Sequence, residues 1–549
     1  MIPGAKQKRI DRSTDRQSNL PHPNTSSSSG DSMKKKAMQK TNYKSMALFN
    51  RRARMSTMSS AMRWRNLKTA VQSKKEGDIS SVFVSLSGGA PPVLPARFAD
   101  VKKDLAVGQE EKLVASWGRL LTALEEEVKI ISSRGPSVIP SIKFDELHGN
   151  IPDFHADLKR RGVAVIRSVI PTAEARAYKE EAENYVKENP STRAFPAHDP
   201  QVFELYWSPP QVKARAHPNL LSTQRLLMNA WHSKDPAALI STSSPLIYAD
   251  RLRIRQPGDS GFALGPHVDG GSVERWEKNG YGVSGVYDKI WQGEWENYDP
   301  WESSCRLPVV SDLYEGAGAC SMFRMFQGWL SMSKTGPGEG TLQVNPMIKL
   351  TTAYTLLRPF FRSIKPFQVN ASGLLSKEYL DASNWVLEPE YTATLQGANP
   401  GHSQEFAEAL HPHLNLQKSM VHLPNIEPGD YVVWHCDGIH AVDKVHNGKT
   451  DSSVLYIPAC PLTERNAVYL SRQRDTFLKG TPGPDFPGGK GESEHIGRPT
   501  LEYMKGVANT AGLQAMGLEK WQDSSAKLQG GERKMMRMAN KILEFSKTV

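Results

Sequence analysis

The sequence predicts a mainly β protein, a sandwich or barrel, with helical parts before and after it. From about residue 245, short β-branched runs alternate with Gly and Pro turn signals, and few helical patterns separate them. Helical spacing of apolar residues precedes this region, and the last 50 residues are helical in character again. The predicted parts are a disordered basic tail (1–105), a helical and mixed part (106–240), a β core (241–475), and a C-terminal loop with helices (476–549).

The basic charge of the chain is confined to the tail. Residues 1–75 contain eighteen Lys or Arg and three acidic residues, whereas the rest of the chain holds 51 basic and 55 acidic side chains. The predicted folded body is therefore mildly acidic and has no overall electrostatic attraction for nucleic acid. Segment 46–65 resembles an Arg- and Ser-rich mitochondrial presequence inside the chain. A solvated tail, an import signal and a nucleic-acid-binding arm remain open for this region.

Cysteine usage and hydropathy indicate a reducing compartment. The four cysteines form no CxxC motif and are too few for a disulfide scaffold. The chain contains neither a run of eighteen apolar residues nor an apolar N-terminal signal region. We therefore expect a cytoplasmic protein without a membrane span, or a mitochondrial one if translation starts at Met33 or Met46.

The elements before the core follow from periodicity. Apolar residues at helical spacing in EEKLVASWGRLLTALEEEVKII (110–131) predict a packing helix. GVAVIRSVI (162–170) alternates like a strand, and Pro171 and Thr172 then start a helix. A further helix is predicted around residues 222–232. Within the core, strands are predicted in the runs LRIRQPG, RMFQGWLSMS, GTLQVNP, GDYVVWH and SSVLYIPA.

A candidate metal site begins with the stretch GPHVDGGS. Side chains two residues apart on a strand point to the same face, so His267 and Asp269 can converge on one ion. Two histidines and one carboxylate on one face of a ferrous ion leave positions open for a cosubstrate and dioxygen. The second histidine must come from a distant strand. The stretch YVVWHCDGIHAV offers His435 or His440, and it also contains a second His-x-Asp pair, His435 and Asp437.

These two stretches resemble the nonhaem Fe(II)/2-oxoglutarate dioxygenases, in particular the phytanoyl-CoA-hydroxylase-like branch. Further stretches resemble a family within it known mainly as a domain of unknown function, over about residues 108–520: DRLRIRQPGDSGFALGPHVDGGSVERW, FQGWLSMSKTGPGEGTLQVNP, LRPFF and SSVLYIPACPLTERNAVYL. The resemblance implies a double-stranded β-helix (jelly-roll, cupin-like) core. It implies His267, Asp269 and His440 as the ligands of Fe(II), with His435 and Asp437 as neighbours, and 2-oxoglutarate as cosubstrate.

The cosubstrate site departs from that resemblance. In the superfamily an arginine about ten residues after the distal histidine usually binds the far carboxylate of 2-oxoglutarate, but residues 449–453 contain none. Lys449 is a weak substitute in a turn-like segment. Arg251, Arg253 and Arg255 share one face of the strand before the His-x-Asp pair, and Arg324 lies further along the chain. We expect Arg253, Arg255 or Arg324 to bind an anionic cosubstrate or substrate, because a guanidinium fork suits a carboxylate.

A Trp-rich insert (273–303) follows the His-x-Asp pair. Its tryptophans are expected to pack onto the core, with a substrate pocket as the alternative. The predicted function is oxidation, most simply hydroxylation, of a small molecule with dioxygen. Two rivals remain open: a cupin-like metal-binding protein without oxygenase activity, and a binding protein that uses the basic tail. The sequence identifies neither the substrate nor the oligomeric state.

Overall fold

Two β-sheets that share one hydrophobic core form the centre of the fold. The computed structural model describes residues 82–86, 92–149, 151–316, 319–369, 375–524, 528 and 530–545. The predicted tail up to residue 81, with its presequence-like segment, lies outside these residues. The strands along the chain are β1 (Ser141–Lys143), β2 (Val163–Arg167), β3 (Ala194–Phe195), β4 (Val202–Phe203), β5 (Ile240–Leu246), β6 (Leu252–Arg255), β7 (His267–Val268), β8 (Phe326–Ser331), β9 (Leu342–Val344), β10 (Phe361–Ser363), β11 (Trp385–Leu387), β12 (Gln404–Glu405), β13 (Val421–His422), β14 (Tyr431–His435), β15 (His440–Val442), β16 (Ser452–Tyr456) and β17 (Cys460–Thr463).

The larger sheet has eight strands in the order β1-β2-β14-β8-β16-β6-β4-β3, and the smaller has five in the order β12-β7-β15-β9-β13. Along the chain, β6, β8, β14 and β16 belong to the larger sheet, while β7, β9, β13 and β15 belong to the smaller. Their pairings are antiparallel. Two further pairs, β10–β11 and β5–β17, stand apart from these sheets.

Helices and short turns surround the sheets, so the protein is a mixed α/β fold with large sheets and flanking helices. The helices are α1 (Arg97–Ala106), α2 (Glu110–Arg134), α3 (Pro152–Arg161), α4 (Thr172–Glu188), α5 (Pro209–Ala216), α6 (Pro218–Met228), α7 (Asp288–Trp291), α8 (Ile348–Leu357), α9 (Lys377–Leu380), α10 (Leu416–Ser419), α11 (Glu464–Lys479), α12 (Leu501–Val507), α13 (Thr510–Ala515) and α14 (Gly530–Ile542). Among the described residues, none of these helices is long and apolar enough to cross a membrane.

Helix α1 lies within the range that the sequence assigned to the tail, so the folded part begins earlier than predicted. Its Phe98 and Lys102 are fully buried. The Lys102 ammonium donates to the Pro359 carbonyl (2.7 Å) and to the Glu388 carboxylate (2.8 Å). Because both partners lie far along the chain, tertiary contacts help to hold this ten-residue helix.

The Trp-rich insert consists of short turns and α7. Its tryptophans are at most 8% exposed and belong to buried apolar clusters, as the packing expectation required: Trp276, Trp291, Trp295 and Trp301. The indole of Trp276 donates to the Leu356 carbonyl, and that of Trp301 to the Lys159 carbonyl. The insert therefore connects the region after β7 to helices α3 and α8.

Candidate metal centre

Three side chains from the two predicted motifs meet at two neighbouring inner strands of the smaller sheet. His267 in β7 and His440 in β15 are register partners in one antiparallel ladder. Their ring centroids are 4.2 Å apart. Asp269, two residues after His267, places one carboxylate oxygen 3.6 Å from His267 Nε2 and the other 3.5 Å from His440 Nε2. One ligand atom from each of the three residues lies within 4.8 Å of the others.

Backbone carbonyls fix the tautomer of both imidazoles. His267 Nδ1 lies 2.6 Å from the Gly265 carbonyl, and His440 Nδ1 lies 3.1 Å from the Gly438 carbonyl. A carbonyl oxygen only accepts, so each Nδ1 carries the proton and each Nε2 keeps its lone pair. Two lone pairs therefore face the Asp269 carboxylate at distances too long for good hydrogen bonds. A cation among the three would convert this repulsive arrangement into a ligand set.

The pKa values favour the metal-binding forms of His267 and Asp269. Burial, together with the neighbouring His440, lowers the pKa of His267 to about 4, so its imidazole is neutral at physiological pH. Burial acts to raise the pKa of Asp269, but neighbouring positive charge, which includes that of Arg324, outweighs it and holds that pKa well below its usual range. A neutral imidazole and an ionised carboxylate are the forms that bind a divalent metal.

The second His-x-Asp pair has different surroundings. The His435 side chain has both ring nitrogens engaged, since Nε2 donates to the Pro300 carbonyl (3.0 Å) and Nδ1 accepts from the Asp437 backbone N–H (3.0 Å). Its ring stacks on Trp231 with centroids 4.7 Å apart. Asp437 forms a buried ion pair with Arg306, at 2.7 Å. His435 and Asp437 lie together with Cys436, but their lone pairs and charge already have protein partners.

A cavity of about 140 Å³ opens beside His267, Asp269 and His440, and we call it the main cavity. Phe83 packs edge-on against the His267 ring at 4.8 Å, and the Trp434 ring lies 4.9 Å from that of His440. The wall combines apolar side chains with a few polar ones, as is common for small-molecule sites. Its polar and aromatic lining includes Phe83, Arg253, Arg255, Arg324, Gln327 and Trp434.

Arg253 is a buried cation with spare donors at this cavity. Its Nη2 donates to Gln201 Oε1 (3.0 Å) and to the Phe262 carbonyl (2.7 Å). Its Nε and Nη1 make no hydrogen bond with the described residues. Burial lowers the pKa of Arg253 to about 10, so the guanidinium still carries its charge at neutral pH. Two unpaired donor nitrogens on a buried guanidinium are suited to an entering carboxylate.

Arg255 lines the same cavity but is already paired. Its Nε donates to Asp259 Oδ2 at 2.6 Å, and both side chains are at most 3% exposed. Its Nη1 donates to the Asp443 carbonyl (2.8 Å) and its Nη2 to the Asp259 carbonyl (3.2 Å). The charge and donors of Arg255 thus serve the protein itself. An anionic ligand would therefore have to compete with these partners for Arg255.

Arg324 lies at the edge of the main cavity, before β8 begins. Within the described part of the chain its guanidinium has no hydrogen-bond or ion-pair partner, and it stands 5.9 Å from the Tyr248 ring. Burial acts to lower the pKa of Arg324, but Cys320, Asp269 and other groups outweigh it and raise that pKa. Lys449, the alternative cation after the distal histidine, is exposed and lies away from the lining of the cavity.

Two residues at this cavity escaped prediction from the sequence. Gln327 Nε2 and Trp434 Nε1 are buried donors without a partner among the described residues, and both side chains line the main cavity. The two residues are register partners on β8 and β14. Strand alternation could have identified Gln327, because it puts Gln327 and Trp329 on the same face of the predicted strand FQGWLS. With Arg253 they form a set of donors that lacks acceptors.

Comparison with known proteins gives a family match over most of the chain. A family model described as Gig2-like matches residues 92–518. A curated relative, the uncharacterized protein YbiU of Escherichia coli K12, is 30% identical over 407 residues, which cover 72% of this chain and 88% of the relative. The resemblance to a domain-of-unknown-function family drawn from the motifs is thereby confirmed.

Two solved structures support the same relationship. The GlcNAc Inducible Gene 2 protein GIG2 (DUF1479) of Candida albicans is 32% identical, with a TM-score of 0.71 over 84% of this chain and 97% of that one. A Salmonella typhimurium LT2 protein, described only as a candidate oxidoreductase, is 30% identical, with a TM-score of 0.65 over 77% of this chain and 98% of that one.

Proposed function

The chain belongs to the Gig2-like family, and for this member we propose an Fe(II)- and 2-oxoglutarate-dependent oxygenase that oxidises a small molecule. The observation that carries the proposal is the meeting of His267, Asp269 and His440 within 4.8 Å at the wall of a cavity that also holds Arg253. The name of the Salmonella relative, a candidate oxidoreductase, agrees with this reaction class. The fold alone would not support an oxygenase function, because one fold hosts many functions.

We propose that the core is a double-stranded β-helix. Eight strands, β6 to β9 and β13 to β16, support this reading because four belong to each sheet and, except for β9 and β13, successive members of the set change sheets along the chain. Antiparallel pairing within each sheet agrees with it. In such a core the metal-binding side chains come from the smaller sheet, and the space between the two sheets is left for small molecules.

We propose that His267, Asp269 and His440 hold the iron. Two neutral imidazoles and one carboxylate are a donor set that suits Fe(II) and leaves other coordination positions open. Bound iron with 2-oxoglutarate and dioxygen would supply the oxidising chemistry. The protein's own contribution is to orient the two Nε2 atoms through the Gly265 and Gly438 carbonyls and to keep Asp269 ionised.

Arg253 is our candidate for the far carboxylate of 2-oxoglutarate. Its unpaired Nε and Nη1, with Gln327 Nε2 and Trp434 Nε1, give the main cavity buried donors that require acceptors. A dicarboxylate provides acceptors and charge together, and each donor left without one costs about 1–3 kcal/mol. Arg253 lies on β6, which pairs with β16. Strand β16 begins within the segment in which the superfamily arginine is expected, so Arg253 on the paired strand β6 could replace that arginine.

An anaerobic titration with Fe(II) and then 2-oxoglutarate tests the proposal. We expect a metal-to-ligand charge-transfer band that needs both additions, and succinate formation after oxygen is admitted. Metal binding without this band would favour the rival, a metal-binding protein of cupin type without oxygenase activity. A suitable control is His232→Ala, because that side chain is 44% exposed and pairs with Asp299 away from the cavity.

A further inference from the structure

A second, smaller cavity adjoins the main cavity at Asp269. It measures about 50 Å³, and Asp269, Cys320 and Arg324 line both spaces. Its other walls include Arg306 and Arg465, and Asp269 is its one acidic member among the described residues. The smaller cavity is therefore a basic recess that reaches the proposed metal from the side of Arg324.

Two of the three arginines in this recess already have counter-charges. Arg306 Nη2 donates to Asp437 at 2.7 Å. Arg465 is paired with Asp312, and it donates to the Ser321 and Val309 carbonyls at 3.0 Å each. Arg324 differs from both, because no described residue forms an ion pair or a hydrogen bond with its guanidinium.

Glycine at position 270 lets Arg324 lie against the backbone that follows Asp269. Gly270 has a positive φ of 78°, and a Cβ there would stand 3.4 Å from Arg324 Nη2. Asp269 contributes to the raised pKa of Arg324. A divalent metal at the proposed centre would take up the Asp269 charge, and Arg324 would then face the cavities without a counter-ion.

Charge balance around the proposed centre leaves room for one more anion. Arg251 and Arg255 are neutralised by Asp250 and Asp259. A divalent metal, Asp269, Arg253 and Arg324 together carry three positive charges, and 2-oxoglutarate would cancel two of them. Arg324 is partly buried, and an unpaired guanidinium that faces an enclosed cavity favours a negative group, so the remaining charge is expected to meet one.

We propose that Arg324 binds an oxyanionic group of the substrate, a carboxylate or a phosphate, in the smaller cavity. This inference rests on the proposed function and names its substrate class as a small organic acid or phosphate ester. A guanidinium fork suits either oxyanion. The volume of the smaller cavity accommodates such a group, and the main cavity remains for the cosubstrate. Arg253, which lines only the main cavity, serves the cosubstrate.

Nuclear relaxation tests the inference without relying on turnover. The full chain is loaded anaerobically with Mn(II), a paramagnetic stand-in for Fe(II), and with 2-oxoglutarate. Inorganic phosphate and acetate are added separately, and the relaxation of phosphate ³¹P and acetate ¹³C is recorded. We expect the wild type to enhance the relaxation of at least one probe. Arg324→Gln should weaken that binding by at least about tenfold, and Arg324→Lys should retain part of it.

The outcomes separate this inference from the proposed function. Relaxation that is equal in the wild type and Arg324→Gln, or absent from a wild type that binds Mn(II) and 2-oxoglutarate, overturns the role of Arg324. Loss of the Fe(II)–2-oxoglutarate band in Arg324→Gln also overturns it, because Arg324 would then serve the cosubstrate. A wild type that binds no metal refutes the proposed function itself. A retained band in Arg324→Gln shows in addition that this variant is folded.

Discussion

His267 and His440 are register partners across the β7–β15 ladder, and each donates Nδ1–H to the carbonyl of the residue two positions before it. The two imidazoles are thus fixed by backbone alone, from segments 173 residues apart in the chain. Because both imidazoles are oriented in the same way, we propose that both are needed as metal ligands.

We predict that His440→Ala abolishes high-affinity Fe(II) binding. Loss of a direct ligand should weaken binding by more than about 100-fold, the upper range for partners that only orient a ligand. Equilibrium dialysis followed by metal analysis measures the effect, with His232→Ala as a variant that keeps full affinity. Retained iron in His440→Ala would contradict the proposed ligand set.

Replacing Asp437 should lower the stability of the protein and leave iron binding intact. Asp437 neutralises Arg306 and lies 3.5 Å from Arg275, and all three side chains are at most 4% exposed. Asp437→Asn leaves two buried guanidiniums short of charge and should cost about 3–5 kcal/mol of stability. Iron binding should persist at temperatures where the variant is folded. Denaturant unfolding and metal analysis measure the two effects, and an Asp437→Asn protein that is stable but free of iron would reverse our assignment.

Arg253 and Arg255 should separate cosubstrate binding from stability. Arg253→Gln should raise the Kd for 2-oxoglutarate by about 10- to 100-fold, the value of a charged hydrogen-bonding pair. Arg255→Gln should instead lower the free energy of unfolding by about 3 kcal/mol or more, because Asp259 would remain buried without its partner. Titrations of the charge-transfer band and thermal unfolding of both variants test this contrast.

A buried carboxyl should make the stability of the protein fall as the pH rises from about 4 to 7. Glu492 is fully buried and accepts the backbone N–H groups of Tyr206 (2.7 Å) and Trp207 (2.9 Å). Burial raises the pKa of Glu492 to about 7. Since the unfolded value is about 4.3, unfolding releases a proton between these pH values. The stabilisation is complete below about pH 4 and lost as the pH rises through 7.

Glu492→Gln should remove this dependence. Wild-type stability should fall by up to roughly 3 kcal/mol between pH 4 and 8 through this group, while the Gln variant lacks that component. Thermal unfolding at several pH values measures the difference. Equal pH profiles would show that Glu492 titrates normally in the folded protein.

The sequence predicted the three residues that meet at the candidate centre better than it predicted their surroundings. His267 and Asp269 follow from the two-residue strand period, and His440 from a motif resemblance. The sequence could not predict which arginine is paired within the protein, because strand alternation places Arg253 and Arg255 on the same face and does not distinguish them. Only the folded chain shows that Asp259 turns back to pair with Arg255 while Arg253 keeps free donors.

The short elements escaped for related reasons. Strands β12 and β13 have two residues each, too few for a period to appear, and their existence depends on neighbours in the sheet. Helix α1 depends on Lys102 and its distant partners Pro359 and Glu388. Local patterns carry no information about such partners.

The segment 82–86 changes where a working fragment of this protein must begin. The family match starts at residue 92, yet Val82 and Phe83 line the main cavity, and Phe83 shields the His267 ring. The backbone N–H of Ser403 donates to the Val82 carbonyl, and the backbone N–H of Ser85 donates to the Glu405 carboxylate, so this segment is held against the smaller sheet. A fragment cut at the family boundary would keep every proposed metal ligand but lose one wall of the main cavity, so it is suited to testing the proposed iron binding and unsuited to testing the proposed turnover.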